Sequence, residues 1–321
     1  MSFELILPFL RPIEPLLLDE SISEIMGNPD ESWWYERDGI LRREERVSFV
    51  AGKLRTGLEV IANQLGKKLD EDSPVLHAEL PDGSRLAAVI PPVVQPFPAL
   101  TIRKFTSRHY TVEDLIARGT LERPLAAFLA EQIRSGKTLL ISGGTGTGKT
   151  TLLRILANSI PEEERVVVIE DTSELHIQKP NILAVECQTD TFKASISFDD
   201  LLKSALRWRP DRIILGEVRG MEARTLLDSF NTGHAGSLAT IHANSAEKAL
   251  HRFANLVMRS HAQTTFVDTE AEIADAVDFV VHIGRHPGRR TIREVLAVRG
   301  YDRDTKRFLI DPVFGMQVST A

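Results

Sequence analysis

From residue 138 onward, short apolar runs alternate with stretches whose apolar positions recur every third or fourth residue. Residues 138–142, 166–170, 213–215 and 238–242 have the length and β-branched content of buried strands. Between them, Leu152, Leu153, Ile155 and Leu156 recur at helical spacing, and Ser197 and Asp200 stand at capping-box spacing ahead of Leu201, Leu202 and Leu206. Residues 223–230 predict another helix, and Leu250, Phe253, Ala254 and Val257 a further one, with Asn244 and Glu247 at capping spacing before it. Strand and helix alternate as in a parallel α/β sheet. Residues 279–282, 292–298 and 308–310 read as closing antiparallel strands.

The upstream pattern is different and predicts a smaller α/β module. A helix is expected from about Ser21, then a hairpin joining Trp33-Trp34-Tyr35 to Ile40-Leu41 across Asp38-Gly39. Val50, Leu54, Leu58, Ile61 and Leu65 mark one helix face ending near Gly66, and Asp82-Gly83 turns a second hairpin between Leu76, Ala78 and Leu80 and the run 86–90. Pro91, Pro92, Pro96 and Pro98 exclude regular structure, and 101–105 resumes as a strand carrying Arg103 and Lys104. Thr111 and Asp114 cap a following helix. The expected division is an N-terminal α/β domain over 1–105, a linker over 106–120 and a second domain over 121–321.

Composition adds limits rather than identity. Hydrophobic content of 42% and charged content of 26% are ordinary for a folded soluble chain, and a net charge of −6 argues against direct nucleic-acid binding as the dominant task. The single cysteine, Cys187, suits a reducing compartment. The apolar first eighteen residues are broken by Glu4, Pro8, Arg11, Pro12, Glu14 and Pro15, so no signal peptide is expected. No run approaches the roughly 20 apolar residues of a membrane span, which leaves peripheral membrane association.

Chemistry enters at Gly143-Gly144-Thr145-Gly146-Thr147-Gly148-Lys149-Thr150, which satisfies G-x-x-x-x-G-K-[ST] between a strand and a helix. Its glycines permit positive φ and close approach of backbone N–H groups to phosphate oxygens, at a helix N-terminus that favours anions. Lys149 reaches the β- and γ-phosphates in such a loop, Thr150 offers a hydroxyl to Mg²⁺, and Thr151 completes the contact set; ATP and Mg²⁺ are the expected cofactors. Ligands of open α/β sheets gather beyond the carboxyl ends of the strands, and three such ends carry Glu170-Asp171, Glu217 and His242. Either Glu217 or Glu170 could orient the water, with Glu217 also a candidate for the Mg²⁺ shell, directly or through water. His242 suits a donor to phosphate or a relay, the alternative being a core histidine; His234 and His242 lack the companions of a zinc site. Arg103 and Lys104 could stabilise transition-state charge or form a solvated face. Arg207, Arg209, Arg212 and Arg219 suit a subunit boundary or plain solubility, and Trp208 suits packing.

Together these residues resemble the secretion-ATPase superfamily, most closely the conjugative-transfer and type IV secretion traffic ATPases. Beside the phosphate loop, Val168-Ile169-Glu170-Asp171-Thr172-Ser173-Glu174-Leu175 is similar to the family's acidic box. The run from Leu206 to Gly220, containing Gly216-Glu217, is similar to its Walker B region, and Thr232 to Asn244 to its histidine box. Pro91-Pro92 followed by Thr101-Ile102-Arg103-Lys104-Phe105 resembles the junction between its domains. The resemblance implies a RecA-like P-loop NTPase domain after a PAS-like sensor domain, and a homo-hexameric ring with Arg103 on the γ-phosphate side. It also implies a cytoplasmic motor peripheral to the inner membrane, working with secretion or conjugation apparatus proteins. Pilus-retraction motors, which share the ring and the boxes, and DNA-translocating RecA-like motors are the alternatives; one cysteine excludes the four-cysteine zinc module of many type II relatives.

Overall fold

The computed structural model describes residues 3–37, 39–50, 52–105, 110–187, 195–260, 264–286 and 289–315. It forms two compact units, Met1–His109 and Tyr110–Ala321. The turn residue Asp38 and positions 106–109 of the expected linker lie outside the described residues.

In the first unit, three short 3-10 turns lead into α1 (Glu14–Leu18), followed by β1 (Ile22–Gly27), β2 (Trp33–Arg37), β3 (Ile40–Glu44), α2 (Lys53–Gln64), β4 (Val75–Glu79), β5 (Arg85–Val89) and β6 (Ala99–Arg103). The strands make an antiparallel sheet in the order β3-β2-β1-β6-β5-β4. The helix expected from Ser21 is instead β1. Its buried isoleucines, Ile22 and Ile25, stand three apart as on a helix, but a bulge between Ile22 and Glu24 turns both toward the core. Val50 is exposed and precedes α2, which starts after Gly52 at φ 77° and stops before Gly66 at φ 69°. The apolar start of the chain is spent inside this unit, with Ile6, Leu10 and Ile13 fully buried beside Leu58 and Ile61. Lys104 anchors that segment: its Nζ donates to the Asp19 carbonyl at 2.6 Å, and burial holds its pKa below the ordinary value.

The second unit comprises α3 (Val112–Ala117), α4 (Arg123–Arg134), β7 (Leu139–Gly143), α5 (Lys149–Ala157), β8 (Val166–Glu170), β9 (Ile182–Glu186), α6 (Phe198–Ala205), β10 (Arg212–Val218), α7 (Glu222–Asn231), β11 (Leu238–His242), α8 (Ala246–Ser260), α9 (Phe266–Ala276), β12 (Phe279–His286), β13 (Arg289–Asp302) and β14 (Arg307–Phe314). Their sheet runs β14-β13-β12-β7-β11-β10-β8-β9, parallel from β12 to β9. Alternation assigns each face its helices. Leu139, Ile141, Val166 and Val168 pack with α4 and α5, whereas Leu140, Val167, Ile169 and Ile213 pack with α6, α7, α8 and α9. Each fully buried leucine or isoleucine contributes about 1.5–3 kcal/mol, so both faces hold the strands in place.

Several elements differ from expectation for identifiable reasons. β12, β13 and β14 pair antiparallel in sequence as expected, but β12 also pairs parallel with β7, from Phe279↔Leu139 to His282↔Ser142, and so joins the parallel sheet. Leu115 of α3 packs with Leu121 and Leu125, so 110–120 belongs to the second unit's core. The cap of α8 is Ser245, whose Oγ accepts from the Lys248 N–H at 3.1 Å, and Glu294 receives the Ala246 N–H at 2.6 Å. The helix α9 buries Thr269, Glu270, Ala274 and Ala276 beside Ile273, too small and polar a set to register as an apolar stripe. The capping boxes at Thr111/Asp114 and Ser197/Asp200 are both present. No helix among the described residues is long and apolar enough to cross a membrane.

The turn into β11 gives a stability prediction. Arg212 is 4% exposed, paired with Glu164, and its Nη1 donates to the Gly236 carbonyl at 3.0 Å. Gly236 has φ 81°, and a Cβ there would lie 1.5 Å from Arg212 Nη1. Gly236→Ala is expected to cost about 2–3 kcal/mol in urea unfolding, from backbone strain and displacement of a buried cation; an unchanged midpoint would contradict this.

Candidate active site

The phosphate loop lies between β7 and α5. Gly146 at φ 68° and Gly148 at φ 94° occupy conformations that a side chain would strain, and a Cβ at Gly143 would lie 2.4 Å from the Ile283 carbonyl oxygen. Thr147 Oγ1 and Lys149 Nζ both donate to the Gly144 carbonyl, each at 2.9 Å. Thr150 and Thr151 fall in the first turn of α5. Lys149 is buried, whereas Thr145 and Gly146 are exposed.

Sheet order brings the other candidates up to this loop. The strands ending beside it are, in spatial order, β11, β10 and β8, and they carry His242, Glu217 and Glu170-Asp171. Lys149 Nζ stands 3.3 Å from His242 Nδ1, and His242 Nε2 stands 3.0 Å from Glu217 Oε1. An ammonium only donates, so Nδ1 accepts, and the imidazole proton is assigned to Nε2, which donates to Glu217. Burial, then the Lys149 charge, hold the His242 pKa below its ordinary value, although Glu217 opposes them. The imidazole is therefore neutral at physiological pH. Glu217 Oε2 accepts from Arg219 Nη2 at 2.9 Å, and Arg219 Nη1 reaches Asp171 Oδ2 at 2.9 Å. One polar chain thus runs Lys149, His242, Glu217, Arg219, Asp171 across four strand ends.

Glu170 stands apart from that chain. Its carboxylate is 4% exposed, and Oε1 accepts from the Glu174 and Leu175 N–H groups at 3.1 and 3.0 Å. Burial pushes its pKa up to about 7 despite those donors. Gly216 makes room for it, since a Cβ there would lie 3.3 Å from Glu170 Cγ. Arg103 ends β6 in the first unit and is exposed; Lys104, its neighbour, faces the other way and serves the core. His234 rests against the end of α7, with Nδ1 at 3.3 Å from the Ser229 carbonyl. Trp208 packs on the core below α6, as expected, whereas Arg212 and Arg219 are engaged within the chain.

Sequence reasoning missed two contributors. In the sequence Arg219 reads as one of four arginines suited to a subunit boundary or solubility, because nothing local shows that Asp171 lies beside it. Arg290, on β13, donates from Nε to the Gly146 carbonyl at 3.1 Å, a contact created by the parallel placement of β12 next to β7.

A phosphate loop at a strand–helix turn, backed by a histidine and a carboxylate from the neighbouring parallel strands, defines a RecA-like P-loop nucleotide hydrolase. Residues 10–300 match the model of the type II/IV secretion system protein family. The chain is 36% identical over 289 residues to the probable conjugal transfer protein TrbB of Sinorhizobium fredii (strain NBRC 101917 / NGR234), covering 88% of this chain and 85% of that one. It is 31% identical over 328 residues to the type IV secretion system protein VirB11 of Bartonella quintana (strain Toulouse), covering 91% and 92%. In fold it is similar to the pilus retraction motor PilT with bound ADP, at a TM-score of 0.62 and 19% identity over 92% of this chain and 84% of that one. The chain belongs to the type II/IV secretion system family and is an ATPase.

The Glu170 environment predicts a pH dependence. Its pKa is raised from 4.5 to about 7, so the protonated form is favoured in the folded state; its stabilisation is full below the unfolded value and is lost as pH rises through about 7. Glu170→Gln is expected to flatten a loss of up to about 3 kcal/mol between pH 5 and pH 8 in urea unfolding. Parallel profiles for the two proteins would show that Glu170 is not the group responsible.

Proposed function

We propose that this chain is a Mg²⁺-dependent ATPase that works as a homo-hexameric ring and powers conjugative DNA transfer or type IV secretion. It would act in the cytoplasm, peripheral to the inner membrane, and engage the proteins of that apparatus. The observation that carries the reading is the continuous polar chain from Lys149 to Glu217, in a protein whose relatives include a conjugal transfer protein and a type IV secretion protein. The net charge of −6 supports a motor that acts on partner proteins rather than one that coats nucleic acid.

In this reading Gly143, Gly144, Thr145, Gly146, Thr147, Gly148, Lys149, Thr150 and Thr151 hold the phosphates. Among the described residues no three His, Cys, Asp or Glu side chains converge on one metal position. That fits Mg²⁺, which takes few protein ligands beside substrate phosphates: Thr150 and Glu217, the latter directly or through water, would hold it. When bound, the ion neutralises charge on the β- and γ-phosphates.

Glu217 is the proposed general base. A carboxylate has about four lone-pair positions, and His242 and Arg219 use one on each oxygen, leaving it able to accept a proton from water. His242, with its proton on Nε2, fixes one oxygen of that carboxylate and changes partner when Lys149 turns to phosphate. Arg103 is the proposed arginine for transition-state charge, supplied from its own chain or from a neighbouring subunit.

ATP turnover measured beside light scattering tests these assignments. Lys149→Ala is expected to lose hydrolysis, and Glu217→Gln to bind ATP while turning over at least roughly 100-fold more slowly. Arg103→Ala should assemble and bind but lose roughly 10³-fold in rate, the low end for an arginine finger. Parental turnover by any of the three removes that residue's assigned role. Mg²⁺-dependent turnover by a stable monomer would remove the ring.

A further inference from the structure

The hairpin between β12 and β13 reaches the phosphate loop because of strand register. β12 pairs parallel with β7 as far as His282↔Ser142, so 283–286 continue beside the loop that follows β7. β13 returns antiparallel with Arg290 opposite Arg285, at the level of the glycines. The hairpin is tied on two sides. Arg293 crosses over Gly284, where a Cβ would lie 2.1 Å from Arg293 Nε, and its Nη2 donates to the Arg285 carbonyl at 3.2 Å. Arg289 Nη2 donates to the Gly119 carbonyl at 3.1 Å. From this base the half-buried Arg290 lies along the loop: its Cδ is 3.4 Å from where a Gly148 Cβ would sit, and its Nε donates to the Gly146 carbonyl at 3.1 Å.

We propose that Arg290 is a positioning residue that sets the Gly146–Thr147 peptide for phosphate binding before nucleotide arrives. The proposal rests on the reading of residues 143–151 as the nucleotide site. The C=O of Gly146 and the N–H of Thr147 belong to one planar trans peptide and point in opposite directions. A guanidinium that draws the carbonyl toward the hairpin turns the Thr147 N–H to the side away from it. A phosphate-binding loop works by presenting such N–H groups together, and a segment containing Gly144, Gly146 and Gly148 loses much conformational freedom when it is ordered. Fixing one peptide in the free protein removes part of that loss from the binding step. The side chain also places a permanent cation beside the loop.

Such a residue affects affinity for the diphosphate group, with little effect on the chemical step. The experiment measures binding of a fluorescent ADP and its competition by inorganic pyrophosphate, together with kcat and KM for ATP, in the parent, Arg290→Ala, Arg290→Lys and Lys149→Ala. Arg290→Ala is expected to weaken ADP and pyrophosphate by the same factor, roughly tenfold, the loss typical of a hydrogen bond to a charged donor. KM should rise in parallel, with kcat within about threefold of the parent. Arg290→Lys, which keeps a cation able to reach the same carbonyl, should recover part of the affinity; this comparison decides the matter if the alanine variant does not fold.

Parental affinity in Arg290→Ala, beside a clear loss in Lys149→Ala, would overturn the proposal while leaving the nucleotide site intact. Parental affinity in both variants would overturn the site reading and the proposal with it. A loss for ADP that spares pyrophosphate would also overturn it, since that pattern belongs to a residue touching the nucleoside. A fall in kcat with unchanged KM and affinity would do the same.

Discussion

The spatial order of four parallel strands is the constraint on which the site depends. Parallel strands end on the same side of a sheet and stand about 4.8 Å apart, so their last residues form a row. In this unit the row is β7, β11, β10 and β8. Lys149 after β7 meets His242, the last residue of β11, His242 meets Glu217 near the end of β10, and Arg219 just beyond β10 carries the contact on to Asp171 after β8. The links Lys149–His242, His242–Glu217 and Arg219–Asp171 join adjacent strands, and Glu217–Arg219 lies within the end of β10. Exchange of β11 with β10 would put Glu217 beside Lys149 and take His242 away from it. The buried alternation of each strand, with Leu139 and Ile141 against one helical layer and Leu140 against the other, holds this order in place. The chain of polar contacts is thus a consequence of apolar packing.

Much of this was legible in the sequence. The phosphate loop, the parallel strands that supply His242, Glu217 and Glu170, and the two-unit character were all readable from local pattern, because each is decided within about ten residues. What pattern does not carry is which strand lies beside which. β11 is the last of the four in the chain yet sits next to β7, so the Lys149–His242 contact spans 93 residues. The parallel pairing of β12 with β7, beside its antiparallel pairing with β13, is hidden for the same reason, and with it the adjacency of Arg290 to Gly146. Short-range errors had another origin. In β1 a bulge gave a strand the three-residue spacing of a helix, and in the Arg103-Lys104 pair strand alternation sent like charges to opposite environments.

Two carboxylates lie on adjacent strand ends, and their surroundings separate what each can do. Glu170 is almost fully buried, its Oε1 is spent on the N–H groups of Glu174 and Leu175, and burial raises its pKa to about 7. Such a group changes charge near neutrality and is engaged in fixing the segment that carries Asp171. Glu217 is held from both oxygens by side chains, His242 and Arg219, whose own positions follow from the neighbouring strands. The glycine before it completes the division. A Cβ at Gly216 would lie 3.3 Å from Glu170 Cγ, so a side chain at 216 would require the buried Glu170 to give way slightly. Packing beside Glu170 therefore suits glycine at 216 and leaves Glu217, held on one oxygen by His242 and on the other by Arg219, as the carboxylate at the end of β10.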